Sequence, residues 1–265
     1  MADFTLKLFR RLLDVLKENG YEFQTFEKFI INNNVSAVVL RHDVDKYPLR
    51  ALKMAEIEYD FGVKASYHVR ADKVSNNPEI IRKVVEMGHE LAYHYDDLSR
   101  MAKAYPPGDE RLKSAINSFR KNLDYLRRFY PIKVISMHGD PWQSIDNRDL
   151  WHYFNYKSEG VICEVYLDID YSSVLYLTDT GRRWNGSATN IRDKIPMDKG
   201  MVHGAEYNYR TTREIISAIK SGKIKGRIIL NIHPQRWTGA PLPWLKELVW
   251  QNIKNAVKVI ISASK

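Results

Sequence analysis

The segment that decides the fold is Val35-Ser36-Ala37-Val38-Val39-Leu40-Arg41-His42-Asp43-Val44-Asp45. Its apolar run, residues 35–40, predicts a buried β-strand, and charged side chains follow directly at the carboxyl end. Because side chains alternate along an extended chain, Asp43 and Asp45 share one face, where they repel each other unless a cation lies nearby. The pattern indicates a metal site or an acid–base pair at one edge of a sheet.

Composition limits the classes of protein to consider. With 265 residues, 44% of them hydrophobic, the chain suits one domain spanning residues 1–265. The single Cys163 excludes an internal disulfide and a thiolate cluster, which leaves His and carboxylate as metal ligands. The formal charge of +9 is spread among acidic residues, so no nucleic-acid binding is expected. No apolar run is long enough for a transmembrane segment and no signal peptide is visible, so we expect a cytoplasmic protein.

Strands and helices are predicted to alternate along the chain, after an N-terminal helical cap or lid over residues 1–34 and before a C-terminal helix over 243–265. The predicted strands cover residues 35–40, 65–70, 90–94, 133–138, 161–166, 174–179 and 227–233, and the helices between them cover 49–59, 77–87, 110–129 and 212–220. This order is typical of a parallel sheet with crossover helices. We therefore predict the α/β class and a seven- or eight-stranded barrel that is distorted or incompletely closed.

Polar side chains stand at the ends of most of these strands. They are Asp43, Asp45, His68, Arg70, His94, His138, Asp179 and His233. In a parallel barrel the carboxyl ends of the strands meet on one face, where active sites are built from several strands. The sequence therefore predicts one site that collects these residues.

From about residue 35 to 237 the chain resembles carbohydrate esterase family 4, the NodB-type polysaccharide deacetylases. Arg41-His42-Asp43-Val44-Asp45 looks like a divergent form of the family's first motif, which implies Asp43 as the catalytic base and Asp45 as a metal ligand. Gly88-His89-Glu90 with His94 matches the second motif. Leu98 stands where that family has its second metal histidine, and His138, at the end of another strand, is a substitute.

Two later regions extend the resemblance. Leu230-Asn231-Ile232-His233 matches the fifth motif and implies His233 as the catalytic acid, and residues 179–184 resemble the fourth region. That region implies Asp179 as a catalytic partner and Trp184 as a pocket wall that stacks on sugar. His68 and Arg70 are further candidates for substrate contact. The implied fold is the distorted (β/α) barrel of the family.

The chemistry of amide hydrolysis is consistent with this set. Such a reaction needs an activated water, a stabiliser for the oxyanion and an acid for the leaving amine. Asp45, His94 and His138 form a one-carboxylate, two-imidazole ligand set that suits Zn²⁺ or another borderline divalent ion. The expected activity is removal of an acetyl group from an N-acetylated sugar, such as a glycan intermediate of surface-polysaccharide biosynthesis.

Alternatives remain open for the individual residues. The two aspartates could instead form a turn after the strand, with Arg41 or Lys46 as an ion-pair partner. His94 fits a hydrogen-bonded core histidine, and His68 and Arg70 fit partners of acids at the rim. The pattern of Trp244, Leu245, Leu248 and Trp250 is most simply a helix that packs on the barrel, with weak membrane-surface association as a minority reading.

Alternatives also remain open for the function. One is hydrolysis of another C–N amide bond by the same metal-activated water. The other is a non-catalytic carbohydrate-binding or scaffold protein that has lost its metal together with the histidine replaced by Leu98.

Overall fold

The computed structural model describes residues 2–32, 34–139, 145–184 and 207–263. Its strands are β1 (Glu22–Phe23), β2 (Ala37–Val44), β3 (Ser66–Val69), β4 (Glu90–Tyr95), β5 (Val134–Met137), β6 (Cys163–Glu164), β7 (Val174–Thr178) and β8 (Arg227–Ile232). Its helices are α1 (Leu6–Glu18), α2 (Phe26–Ile31), α3 (Pro48–Asp60), α4 (Pro78–Glu86), α5 (Asp97–Met101), α6 (Asp109–Arg127), α7 (Val165–Asp168), α8 (Thr212–Lys220) and α9 (Pro241–Ala263). No helix in these ranges is long and apolar enough to cross a membrane.

The strands form one parallel sheet in the order β6-β5-β4-β3-β2-β8-β7, and β1 pairs with β2 beside this path. Apart from β1, the strands follow one another around the sheet in sequence order, and β8 returns to lie beside β2. This is the order of a singly wound barrel that is open between β6 and β7. Within the described ranges no pairing joins those two strands. The predicted α/β barrel with incomplete closure is therefore confirmed.

The N-terminal segment differs from the predicted cap or lid. The two-residue strand β1 extends the sheet, with Glu22 opposite Ala37. Helix α1 packs against α8 and α3 and buries Phe9 and Leu12 in the main apolar core. Sequence periodicity missed β1 because two residues are too short to show an alternation. The segment belongs to the sheet and its helical layer.

The predicted strand 161–166 is also shorter than expected. It ends at Glu164, whose side chain accepts hydrogen bonds from the backbone N–H groups of Tyr166 and Leu167 and so begins helix α7. A carboxylate that satisfies the free N–H groups of a helical turn competes directly with continued strand pairing. The apolar side chains that follow are buried by the helix instead.

The two faces of β2 have different partners. His42 points toward α3, where its Nε2 lies 2.6 Å from Oε1 of Glu58, and Tyr67 donates to the other oxygen of that carboxylate. Arg41 and Asp43 lie on the opposite face, over a smaller apolar cluster that includes Val39 and Ala92. This alternation separates a structural histidine from Arg41 and Asp43, the charged residues on either side of it.

Candidate metal and acid–base site

The carboxyl ends of β2, β4 and β5 converge at Asp45. Neighbouring strands lie about 4.8 Å apart, so a flat sheet would separate the ends of β2 and β5 by about 14 Å. In the structure Nε2 of His138 lies 3.5 Å from Oδ1 of Asp45, and Nε2 of His94 lies 3.7 Å from the same atom. Curling of the sheet therefore brings together side chains from β2, β4 and the end of β5.

These three residues have the geometry of a metal site. One ligand atom from each of Asp45, His94 and His138 lies within 4.8 Å of the other two. Atoms that bind one tetrahedral ion at about 2.0 to 2.1 Å would lie about 3.4 Å apart, close to the two distances given above. Oδ1 of Asp45 is shielded from solvent and has no hydrogen-bond partner among the residues that the structure describes. A shielded carboxylate oxygen facing two imidazoles fits a cation ligand.

The backbone and second oxygen of Asp45 are held by residues outside the predicted set. Gln235 donates from Nε2 to Oδ2 of Asp45 at 2.9 Å, and Ser75 donates its hydroxyl to the Asp45 carbonyl at 3.0 Å. Both contacts leave Oδ1 free. Gln235 follows His233 by two residues, and this position was the only signal in the sequence that could have identified it.

His94 and His138 are oriented by their neighbours. Nδ1 of His94 lies 3.1 Å from the carbonyl oxygen of Ser136, so its proton can sit there and leave Nε2 free to bind a metal. Burial, and then the nearby His138, hold the pKa of His94 well below its ordinary value, which keeps it neutral. The loop that carries His138 is fixed by its backbone N–H donating to Tyr95 and by Asn147 donating to its carbonyl.

Asp43 is paired with the arginine two residues before it. Arg41 donates from Nε to Oδ1 at 2.8 Å and from Nη2 to Oδ2 at 2.9 Å, and both side chains are buried. Burial alone would raise the pKa of Asp43, but the Arg41 guanidinium and then His233 lower it below its ordinary value. Oδ2 of Asp43 lies 3.9 Å from Nε2 of His94. The ion pair named among the structural alternatives is thus present, and it aims an ionised carboxylate at the site.

His233 and Asp179 form a second hydrogen-bonded pair. Nδ1 of His233 lies 2.7 Å from Oδ1 of Asp179, and Nε2 of His233 lies 4.0 Å from Oδ2 of Asp45. Asp179 also accepts hydrogen bonds from Arg236 and, at 2.7 Å, from Nε1 of Trp237. Burial would raise the pKa of Asp179, but Arg236 and His233 lower it to about 2.

The charge on Asp179 acts in turn on the imidazole. Burial and Arg236 would lower the pKa of His233, but Asp179, through its charge and its hydrogen bond, raises it above the ordinary value. Sequence reasoning named Asp179 and His233 separately, whereas Arg236 and Trp237 were not assigned to this network.

Two residues predicted to contact substrate do not suit that role. Trp184 is buried, donates from Nε1 to the Thr212 hydroxyl, and stacks on Phe4 at a centroid distance of 6.3 Å. His68 is also buried, beneath the site, with Nδ1 2.7 Å from the Ser136 hydroxyl. Neither side chain presents a face to solvent where a sugar would approach. Both contribute to packing behind the site.

Arg70 lies beside the site, as expected of a residue at the rim. It forms ion pairs with Asp96 at 2.6 Å and Asp72 at 3.0 Å. It lines a cavity of about 220 Å³ that adjoins His138, and the remaining lining residues are Asp72, Asp96, Ser99, Arg100 and Lys103. This cavity is polar and open to solvent.

Leu98 and His89 have structural positions. Leu98 is buried within α5 and belongs to the main apolar core. Nδ1 of His89 accepts from the Ala65 backbone N–H, and Nε2 lies 3.1 Å from the Ala55 carbonyl oxygen. His89 therefore joins the residue that precedes β3 to α3 behind the site.

Comparison with known proteins gave matches in structure alone. No family model and no curated protein sequence matches the chain. The chain is similar in structure to a family 4 carbohydrate esterase from Bacillus anthracis, with 11% identity, a TM-score of 0.40, and 92% of this chain and 84% of that chain covered. It is also similar to a family 4 carbohydrate esterase from Streptomyces lividans in complex with acetate, with 16% identity, a TM-score of 0.40, and coverage of 84% and 88%. A third is the catalytic domain of a peptidoglycan N-acetylglucosamine deacetylase from Eubacterium rectale, with 12% identity, a TM-score of 0.42, and coverage of 84% and 86%.

Proposed function

We propose that the protein is a metal-dependent hydrolase that removes the acetyl group from an N-acetylated sugar. One observation carries this proposal: the cluster of Asp45, His94 and His138 lies between two hydrogen-bonded pairs. In one pair Arg41 holds Asp43, and in the other Asp179 holds His233. The cluster suits a divalent ion, and we propose Zn²⁺ because two imidazoles and one carboxylate are a common ligand set for it. The pairs suit proton transfer.

We assign the base role to Asp43. A bound divalent ion would lower the pKa of a water molecule and polarise the amide carbonyl. Asp43 has a lowered pKa and is therefore a weak base, so it takes a proton only from a water that is more acidic than in bulk. Each of its oxygens keeps a lone pair beyond the Arg41 hydrogen bonds, which allows it to accept that proton.

We assign the acid role to His233. Asp179 fixes the imidazole through Nδ1, and Nε2 faces the metal cluster. The raised pKa keeps the proton on the ring at a pH where an unperturbed histidine would have lost it. As the C–N bond breaks, Nε2 gives this proton to the leaving amine, and the products are acetate and a free amino sugar.

We propose that the sugar binds in the cavity beside His138. Its lining carries three cations and two acids, and Arg70 and Arg100 are already paired with Asp96. Lys103 is exposed and forms no salt bridge within the described part of the chain. The surplus positive charge favours a sugar that bears a phosphate or carboxylate, such as a nucleotide sugar or a glycan phosphate.

The test combines metal analysis with product detection. Purified protein should contain about one divalent ion per chain and should release acetate from at least one member of a panel of neutral and phosphorylated N-acetyl sugars. Chelation should abolish release and Zn²⁺ should restore it, whereas Asp45→Ala should prevent the restoration. A metal-free protein that binds glycans and releases no acetate from any of them would contradict the proposal and favour the scaffold alternative.

A further inference from the structure

Helix α9 has its polar and apolar faces reversed relative to an ordinary surface helix. Gln251 and Asn255 face the protein and are buried. The large apolar side chains face solvent, with 50% to 80% of their surface exposed: Leu242, Leu245, Val249, Trp250 and Ile253. A helix on a soluble barrel normally buries its apolar stripe. The outward stripe is therefore built for an apolar environment outside the domain.

Specific hydrogen bonds fix this orientation. Asn255 donates from Nδ2 to the carbonyl of Gly181 at 2.9 Å, and Gln251 donates to Oδ1 of Asn255 at 2.9 Å. Trp244 donates from Nε1 to the carbonyl of Asp3 at 2.6 Å. Rotation of the helix to bury its apolar stripe would leave these buried polar groups without partners, at a cost in stability. The outward direction of the stripe is thus a property of the fold.

We propose that the outward face of α9 binds the surface of an anionic lipid bilayer, with the helix lying in the plane of the interface. Lys246 lies within the stripe, one turn from both Leu242 and Trp250, and the Lys254 ammonium lies 5.2 Å from the Trp250 ring centre. Tryptophan on an apolar helical face, with lysines whose long side chains can extend from that face to the headgroups, is typical of interfacial helices.

Charge favours a bilayer over a second copy of the chain. Residues 241–263 contain three lysines and a single acid, Glu247. Glu247 is only half exposed and acts on Arg182 of the domain. In a symmetric helix pair, Lys246 would be buried against an apolar face without an acidic partner, which is costly. On a bilayer its ammonium reaches the lipid phosphates, and the formal charge of +9 adds long-range attraction.

Helix α9 adjoins the candidate site. The inner side of α9 contacts the turn Thr180–Arg182, which directly follows Asp179. Binding through α9 therefore brings the carboxyl edge of β7 close to the lipid headgroups. This inference does not depend on the hydrolase proposal, because it concerns binding alone.

The test is co-sedimentation of the full chain with vesicles. We expect binding to phosphatidylcholine vesicles that contain phosphatidylglycerol, and weaker binding to phosphatidylcholine alone or at high salt. The double variant L245E/V249E should lower the affinity at least about tenfold, because it removes buried apolar area and adds negative charge. The matched control I31E/V35E changes two apolar residues that are each 76% exposed elsewhere on the surface, and it should bind like the wild type.

A second measurement distinguishes a lipid bilayer from a second copy of the chain as the partner of α9. Light scattering after size-exclusion chromatography should show that L245E/V249E leaves the oligomeric state unchanged, and circular dichroism should show that it folds. Equal vesicle binding by the wild type and L245E/V249E would overturn the proposal. A wild-type dimer that this variant dissociates, without any vesicle binding, would overturn it in favour of self-association.

Discussion

His233 is held by Asp179 through a 2.7 Å contact between Nδ1 and Oδ1, which leaves Nε2 directed at Asp45 across 4.0 Å. This relationship sets both the direction and the proton affinity of the imidazole. A buried carboxylate with a pKa of about 2 stays ionised at every ordinary pH, so it stabilises the imidazolium form throughout. The pH dependence of the proposed reaction should therefore be sensitive to Asp179.

Asp179→Asn should move the alkaline limb of the profile of kcat/KM against pH toward lower pH by about one unit or more. The charged carboxylate raises the pKa of His233, so its loss lets the acid form disappear earlier as pH rises. The profile should be measured with saturating metal, together with an NMR titration of His233. Trp237→Phe, which removes a neutral donor to the same carboxylate, is the control and should leave the limb near its wild-type position. An unchanged limb in Asp179→Asn would exclude His233 as the titrating acid.

His138→Ala should lower metal affinity by at least about tenfold, because two protein ligands hold a divalent ion poorly. Equilibrium dialysis against buffered Zn²⁺ measures this change directly. Leu98→Ala is the matched control: Leu98 is buried in the core, so its truncation should cost about 2 to 5 kcal/mol of stability and leave metal affinity unchanged. Metal loss in Leu98→Ala with retention in His138→Ala would reverse the assignment.

Asp43→Asn should lower turnover by roughly 10²-fold or more while the chain keeps its metal, the usual scale for loss of a general base. It should also reduce the free energy of unfolding by about 3 to 5 kcal/mol, because Arg41 is buried and loses its charged partner. Urea unfolding of Asp43→Asn and of the double variant R41M/D43N separates the two effects. The double variant should recover stability and not turnover; a full recovery of turnover would show that Asp43 has only a structural role.

Lys103→Met should raise KM for a phosphorylated N-acetyl sugar several-fold with little change in kcat, since it removes the lining cation that no described carboxylate neutralises. A neutral N-acetyl sugar should show no such change. Lys121→Met on α6 alters the net charge equally without touching the cavity, and it serves as the control. Equal effects of both variants would mean that the net charge of the protein, and no contact in the cavity, governs substrate affinity.

Local sequence pattern was sufficient for the architecture and for the position of the site along the chain. The alternation of apolar strands with amphipathic helices predicts a parallel sheet, and polar residues at strand ends predict where it carries chemistry, because both depend on periods of two and 3.6 residues. Asp45, His94 and His138 were named on these grounds, and the structure places them together. The role of each as a ligand remains a prediction.

Tertiary structure alone decided which side chains face the site and what holds them. The curl of the sheet joins His138 to Asp45 across the two intervening strands β3 and β4, and the Gln235 amide reaches Asp45 from 190 positions away in the chain. Contacts with Phe4, Thr212 and Trp237 bury Trp184, which the resemblance had placed at the pocket wall. Such contacts depend on the relative positions of distant elements, which residue spacing does not encode. The sequence by itself determined the order of the elements and the residue types at their ends. The fold determined which residues these side chains contact, because those contacts depend on the elements that pack against each strand.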